Sequence, residues 1–256
     1  MCVSLPLYIR QRFMKAILYL LPLLWLGSCH AQSTDHSQPE KIAVIELFTS
    51  EGCSSCPPAD ELLSRYSKDD YPGVKIFALS FHVDYWNRLG WRDPFSSPAY
   101  AGRQRNYAQA LNLNGVYTPQ MIVNGTHQFV GSDESGLRQA LSNISNNTAI
   151  SITALGLTHG DAGTKAVYKL QGDPAGYEIH IAVISIHEST QVRRGENGGR
   201  TLAHTNVVRT FYTAPATASG QVALGALPAD TGNTAVIAYL QNVKDGHIAA
   251  AALARP

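Results

Sequence analysis

The sequence predicts an α/β domain over residues 40–145, with the element order β-α-β-α-β-β-α, followed by an antiparallel β-sandwich-like domain over residues 149–256. Three observations predict it. An apolar run of strand length at 42–48 leads through Cys53-Ser54-Ser55-Cys56 into a helical pattern that opens on Pro57-Pro58. Strand and helix patterns then alternate as far as Asn143. Past Asn147 the helical pattern stops, and short β-type runs separated by Gly, Pro, Asp and Asn turns take over.

The first 29 residues read as a signal segment. Arg10, Arg12 and Lys15 precede an apolar run at 16–26, shorter than the roughly 20 residues that span a bilayer but suited to a signal-peptide core. Met14 is a second candidate start, which would place 1–13 and Cys2 upstream of the protein. Leu26-Gly27-Ser28-Cys29 resembles the bacterial lipobox. That resemblance implies a lipid on Cys29 and contact with a membrane only through this anchor. Cleavage after Ala31, which would remove Cys29, is the alternative. Both readings export the chain, to the periplasm, to the outer membrane as a lipoprotein, or outside the cell. Residues 30–39 are polar and read as a flexible tether.

The chain has 256 residues, 45% hydrophobic and 15% charged, with a net charge of +1. That composition belongs to a globular chain with room for one large domain or two modest ones. With no basic stripe, it gives no electrostatic case for nucleic acid.

Cys2 and Cys29 fall in the leader, so only Cys53 and Cys56 remain in the folded body. Structural disulfides usually close longer loops, where the entropic gain is larger. A pair closing so short a loop, at the turn between a strand and a helix, suits reversible disulfide chemistry. The first thiol lies near amide N–H groups that stabilise a thiolate, and the second stands close enough to resolve a mixed disulfide. Pro57-Pro58 leaves two openings for the helix: a start at Pro58 with the thiols on the turn ahead, or a distorted first turn.

A second strand is predicted at 74–81, after the turn signal Tyr71-Pro72-Gly73. Ser97-Pro98 reads as an N-cap followed by proline at the first helical position, opening a helix to about Leu111. Asn124-Gly125 between apolar runs at 117–123 and 127–130 is a hairpin signal. Ser132-Asp133-Glu134 opens a helix to about Asn143, with acidic residues in its first turn. The later strands are expected at 149–155, 165–170, 177–186, 202–211, 221–227, 234–240 and 247–252.

That order, with Cys-x-x-Cys after the first strand and Thr118-Pro119 opening the third, resembles the thioredoxin fold over about 105 residues. More narrowly, four phrases resemble an uncharacterised family of secreted bacterial thioredoxin-like proteins. They are the stretch 46–58 around the cysteines, His82-Val83-Asp84-Tyr85-Trp86, Leu89-Gly90-Trp91 and Tyr117-Thr118-Pro119-Gln120. The resemblance implies an exposed attacking thiol at Cys53, a half-buried resolving thiol at Cys56, and a cis Pro119 against the disulfide. Thr118 and Pro119 would then hold an extended substrate chain. It also aligns Glu46 with the buried carboxylate that passes protons to the second cysteine; pairing with a Lys or Arg is the alternative.

His82, Asp84 and Trp86 follow the second strand at the sheet edge where ligands gather. His82 is a candidate to stabilise the Cys53 thiolate, and Trp86 or Trp91 a ledge for peptide. Arg103 and Arg105 are expected in solvent, with Asp84 as an available partner. The loop 193–200 reads as a solvated hairpin tip, with reach to the thiol site as the alternative. His204 and His247 have no support as ligands, and no metal site is predicted.

The reading is a cell-envelope thiol–disulfide oxidoreductase acting on protein thiols and disulfides, with no dissociable cofactor. Two alternatives stand beside it. One is a non-catalytic envelope binding lipoprotein on a thioredoxin scaffold. The other is a copper carrier using Cys53, Cys56 and His82.

Overall fold

A computed structural model describes residues 41–68, 71–145, 149–161 and 163–256. The expected signal segment 1–29, the lipidation site Cys29 and the tether 30–39 lie outside the described residues. The first seven strands and α-helices are β1 (Lys41–Thr49), α1 (Pro57–Tyr66), β2 (Val74–His82), α2 (Pro98–Ala110), β3 (Gln120–Val123), β4 (His127–Val130) and α3 (Glu134–Ser142). Seven strands follow: β5 (Ile150–Gly160), β6 (Gly163–Gly172), β7 (Tyr177–Gln191), β8 (Thr201–Pro215), β9 (Ser219–Gly225), β10 (Thr234–Asn242) and β11 (Ile248–Ala254).

β1 is apolar almost throughout because both of its faces are covered. Ala43, Ile45 and Leu47 pack with Leu62 and Leu63 of α1 and with Leu137 and Leu141 of α3. Val44 and Phe48 pack on the other side with Phe81, Tyr100 and Tyr107. A strand buried on both faces reads as a continuous hydrophobic run rather than an alternating one. β1 pairs in parallel with β2 and antiparallel with β3.

Local chemistry sets the element ends. Ser97 accepts from the Ala99 amide with Pro98 in the first helical turn, and Asp133 accepts from Gly136 to open α3. Asn124 and Gly125 both take positive φ, 47° and 73°, in the three-residue connection that joins the closing pair Val123 and His127. α1 starts at Pro57 with Cys56 as its N-cap residue. Both prolines stand where the amides have no intrahelical partner anyway, so the first turn needs no distortion.

The expected division into domains 40–145 and 149–256 is corrected. One eight-stranded sheet runs β11-β10-β7-β8-β2-β1-β3-β4, joining strands of both halves, and the described residues belong to one compact unit. The join is short. β2 and β8 run parallel through Ser80 and Val207, and Asn206 Nδ2 donates to the Ala78 carbonyl at 3.0 Å. The sheet curls so that Ile237, Tyr239 and Ile248 close over Val44 and Phe48. Apolar burial across that join holds the halves as one body. The smaller sheet β5-β6-β9 packs its Ala166, Tyr168 and Leu224 against Ile179, Val183 and Val236 of the large one. Sandwich-like packing of antiparallel strands is therefore present, but one of its layers continues into the α/β half.

Candidate functional site

The loop leaving β1 carries Cys53 and Cys56 into the N-terminus of α1, and the two are joined as a disulfide with Cα atoms 5.5 Å apart. Cys53 Sγ also lies 3.4 Å from Ser55 Oγ. Ser54 and Ser55 are exposed, but both cysteines are 0% exposed. The implied exposed Cys53 and half-buried Cys56 are thus corrected, and a loop from the other half of the chain covers the backbone beside Cys53. In the β7–β8 loop, buried Asn197 donates to the carbonyls of Glu51 and Cys53 at 2.9 Å each, and its Oδ1 accepts from Arg200. Glu196 accepts from the Ser54 amide at 3.0 Å and the Ser54 hydroxyl at 2.7 Å. Residues 193–200 are therefore not a free hairpin tip.

The Thr118–Pro119 bond is cis. Gln120 pairs with Phe48, so Pro119 stands at the end of β1 from which the cysteine loop departs. A Cβ on Gly131 would come within 2.9 Å of the Pro119 Cβ and 3.1 Å of the Ala59 Cβ. Proline and the start of α1 therefore meet across a glycine. Trp86 Nε1 donates to Thr118 Oγ1 at 2.7 Å, and its Cβ backs the Gly52 backbone. Trp86, Thr118, Pro119 and the cysteine loop thus form one neighbourhood.

Beneath the loop lies a cluster of buried ionisable groups. Glu51, fully buried, accepts from Trp91 Nε1 at 2.7 Å and lies 3.2 Å from His204 Nε2. Its amide donates to Asp93, whose same oxygen is 2.7 Å from His82 Nδ1. His204 Nδ1 stands 3.7 Å from Asp60, and the two imidazoles meet edge-on at 4.7 Å. Burial pushes the Asp60 carboxyl up to about 7, against the pull of His204. Burial acts the same way on Asp93, but the adjacent His82 and the amides of Glu51 and Phe95 together outweigh it and hold Asp93 below the ordinary value.

Of the two readings of Glu46, the structure shows the pairing with an arginine. Glu46 shares the strand face of Val44 and Phe48, and its carboxylate forms a buried ion pair with Arg103 of α2 at 2.8 Å. Tyr239 donates to the same carboxylate. Arg103 is accordingly not in solvent, and its guanidinium lies 4.8 Å from the Tyr107 ring centre and 4.9 Å from that of Phe211. Asp84 is half-buried and makes no ion pair among the described residues. With the disulfide formed, no group of three or more His, Cys, Asp or Glu among the described residues is disposed to hold a metal ion.

Four residues of the site are not read from the sequence, Glu51, Asp60, Asp93 and His204, whereas Glu196 and Asn197 belong to the loop whose reach to the site is the alternative reading. Glu51 carried a signal in standing two residues before Cys53, and Asp60 one in standing a helical turn after Cys56. The others reach the site through tertiary packing alone.

A family model described as "Protein of unknown function (DUF1223)" matches residues 44–241. A crystal structure of a protein from Agrobacterium tumefaciens is similar at 29% identity and a TM-score of 0.61, covering 82% of this chain and 92% of that one. HBP35 of Porphyromonas gingivalis is similar in fold, at 16% identity and a TM-score of 0.60, covering 84% of this chain and 75% of that one. No curated protein sequence matches.

Proposed function

The chain belongs to the DUF1223 family, whose description states no activity, and we propose from the site itself that it is a thiol–disulfide oxidoreductase of the bacterial cell envelope. The observation that carries this reading is the placement of the Cys53–Cys56 disulfide at the start of α1, with Pro119 meeting the same helix. Together with the order β-α-β-α-β-β-α, that placement supports a thioredoxin-like assignment for the first half. The leader read from the sequence supports export.

The exchange runs in two steps. A partner thiolate bonds to Cys53 Sγ, the Cys53–Cys56 bond breaks, and its electron pair stays on Cys56 Sγ. The partner's second thiolate then attacks its own sulfur in the mixed disulfide, and Cys53 leaves as a thiolate. The partner loses two electrons and this pair gains them; the reverse steps oxidise this pair and reduce the partner. The positive end of the α1 dipole favours the thiolates, although Pro57 and Pro58 bring no N–H and the Ala59 and Asp60 amides donate to the Cys56 carbonyl. Asp60, one turn along from Cys56 and titrating near 7, is placed to supply a proton where burial keeps water out.

The burial of both cysteines favours a second reading, an inert disulfide in an envelope binding scaffold. Titration against glutathione buffers, with thiol alkylation read by mass spectrometry, separates the two. A reversible midpoint above about −280 mV supports exchange, whereas a pair oxidised in every buffer overturns it and leaves the scaffold.

A further inference from the structure

We propose that the substrate of this disulfide is an acidic protein segment, captured by an arginine rim and admitted when one of its carboxylates replaces Glu196 at Ser54. The proposal rests on the thiol–disulfide reading and names the substrate class for it.

The charges around the cover are one-sided. The stretches 88–92 and 193–200 contain Arg88, Arg92, Arg193, Arg194 and Arg200 against a single acidic residue, Glu196. The two stretches touch: a Cβ on Gly195 would lie 3.2 Å from the Trp91 Cβ and 3.8 Å from the Leu89 carbonyl oxygen. Arg88, Arg92, Arg193 and Arg194 are exposed, and none has a side-chain hydrogen bond or ion pair among the described residues. In a chain with only 15% charged residues, four unpaired arginines on two touching loops make a local positive field. Leu89, 52% exposed between them, adds an apolar contact.

The second observation concerns what fills the seat beside the disulfide. The Ser54 amide and hydroxyl converge on one carboxylate oxygen of Glu196. These donors hold the Glu196 carboxyl below the usual range, which marks the seat as one that favours an anion. Glu196 is exposed, so solvent and a competing carboxylate both reach it. Arg193 and Arg194 lie on the cover itself, three and two residues before Glu196. An acidic segment that engages them pulls on the element that must move. Its Asp or Glu compensates Ser54 for the lost Glu196 contact, while its thiol approaches Cys53. A basic segment meets repulsion at the rim and offers Ser54 no acceptor charge.

The test uses three peptides of equal length, each with one cysteine flanked by Glu and Asp, by Ser and Gly, or by Lys. Loss of the Cys53–Cys56 disulfide is followed by alkylation and mass spectrometry. Each rate is divided by that peptide's rate with hydroxyethyl disulfide, which removes differences in thiol acidity. The expected result at low salt is an advantage of about tenfold or more for the acidic over the basic peptide. The gap should close as the Debye length falls from about 30 Å at 0.01 M to about 3 Å at 1 M salt. In the Arg88→Ser, Arg92→Ser, Arg193→Ser, Arg194→Ser variant the ratio should fall to about twofold or less. Equal normalised rates at low salt, or a preference that survives the four substitutions, overturn the proposal. So does arginine-dependent binding to phosphatidylglycerol vesicles without any charge preference among the peptides, which would assign the rim to a lipid surface. Dithiothreitol separates the failures. If it reduces the pair while peptide charge is irrelevant, only the substrate class falls; if no thiol reduces the pair, the exchange reading falls with it.

Discussion

Replacing Asn197 by Ala should release the cover and speed reduction of the disulfide. The wild-type amide is fully buried and makes three hydrogen bonds, to the carbonyls of Glu51 and Cys53 and from Arg200. Alanine leaves the two carbonyls without their donor in the closed form, while the open form lets water satisfy them. At a net 0.5–1.5 kcal/mol for each of these two bonds, the closed cover loses about 1–3 kcal/mol. Where the cover opens and closes faster than a thiol attacks, the reduction rate follows the open population. At about 1.4 kcal/mol per tenfold, the variant should then be reduced about 5- to 150-fold faster. The assay is reduction by dithiothreitol in pseudo-first-order excess, quenched by alkylation and read by mass. A urea midpoint for each protein separates local opening from global loss of stability. A rate within twofold of wild type would refute the reasoning, since the sulfurs would then be reached by a route that bypasses this loop.

Two further outcomes follow from the buried charges. Folded Asp60 titrates near 7 against 3.8 ordinarily, so the folded chain keeps a proton the unfolded chain gives up, and stability falls as pH rises through this window. The loss between pH 5 and 8 is about 2–3 kcal/mol, or about 5–10 °C in Tm for a body of this size. Asp60→Asn should remove that slope in paired melts at the two pH values, and parallel curves for the two proteins would contradict the assignment. Arg103→Met strands the Glu46 carboxylate in the core and should cost about 3–5 kcal/mol in urea unfolding, whereas adding Glu46→Leu should recover part of the loss. Simple additivity of the two single losses would mean that the pair is not coupled.

What the sequence makes legible is local, and what it hides is tertiary. Ser97-Pro98, Asn124-Gly125 and Asp133 act through contacts within a few residues, so their pattern is readable without a fold. The runs expected at 149–155 through 247–252 each overlap a strand from β5 to β11 for the same reason. Glu46 shows the limit. Period-two alternation places it with Val44 and Phe48, but nothing in β1 says that α2 will bring a guanidinium to that face. The loop 193–200 is a harder case. Glycine and arginine read as solvated, and seven of its eight residues are exposed; one buried amide, Asn197, anchors it to the thiol site. The single register pair joining β2 to β8 has no sequence signal, because the strands it joins are remote along the chain.

That one join changes what the second half is for. β7 ends at Gln191 and β8 begins at Thr201, so the two strands that extend the sheet also hold both ends of the cover. Alternation along β8, with Leu202 and His204 buried and Ala203 exposed, then places His204 beneath the cysteine loop, between Glu51 and Asp60. The same strands supply Ile184, Val208 and the Phe211 ring to the core around Phe81 and Tyr100. Removing them would therefore strip the disulfide of its cover, leave Glu51 and Asp60 buried without an imidazole, and expose aromatic surface along β2. A buried carboxylate that loses its partner is costly, and an uncapped β2 edge invites pairing with other chains. The β half is thus part of the disulfide's surroundings in a physical sense: it is bonded to the backbone beside Cys53 through Asn197 and Glu196, and it faces the buried carboxylates below through His204.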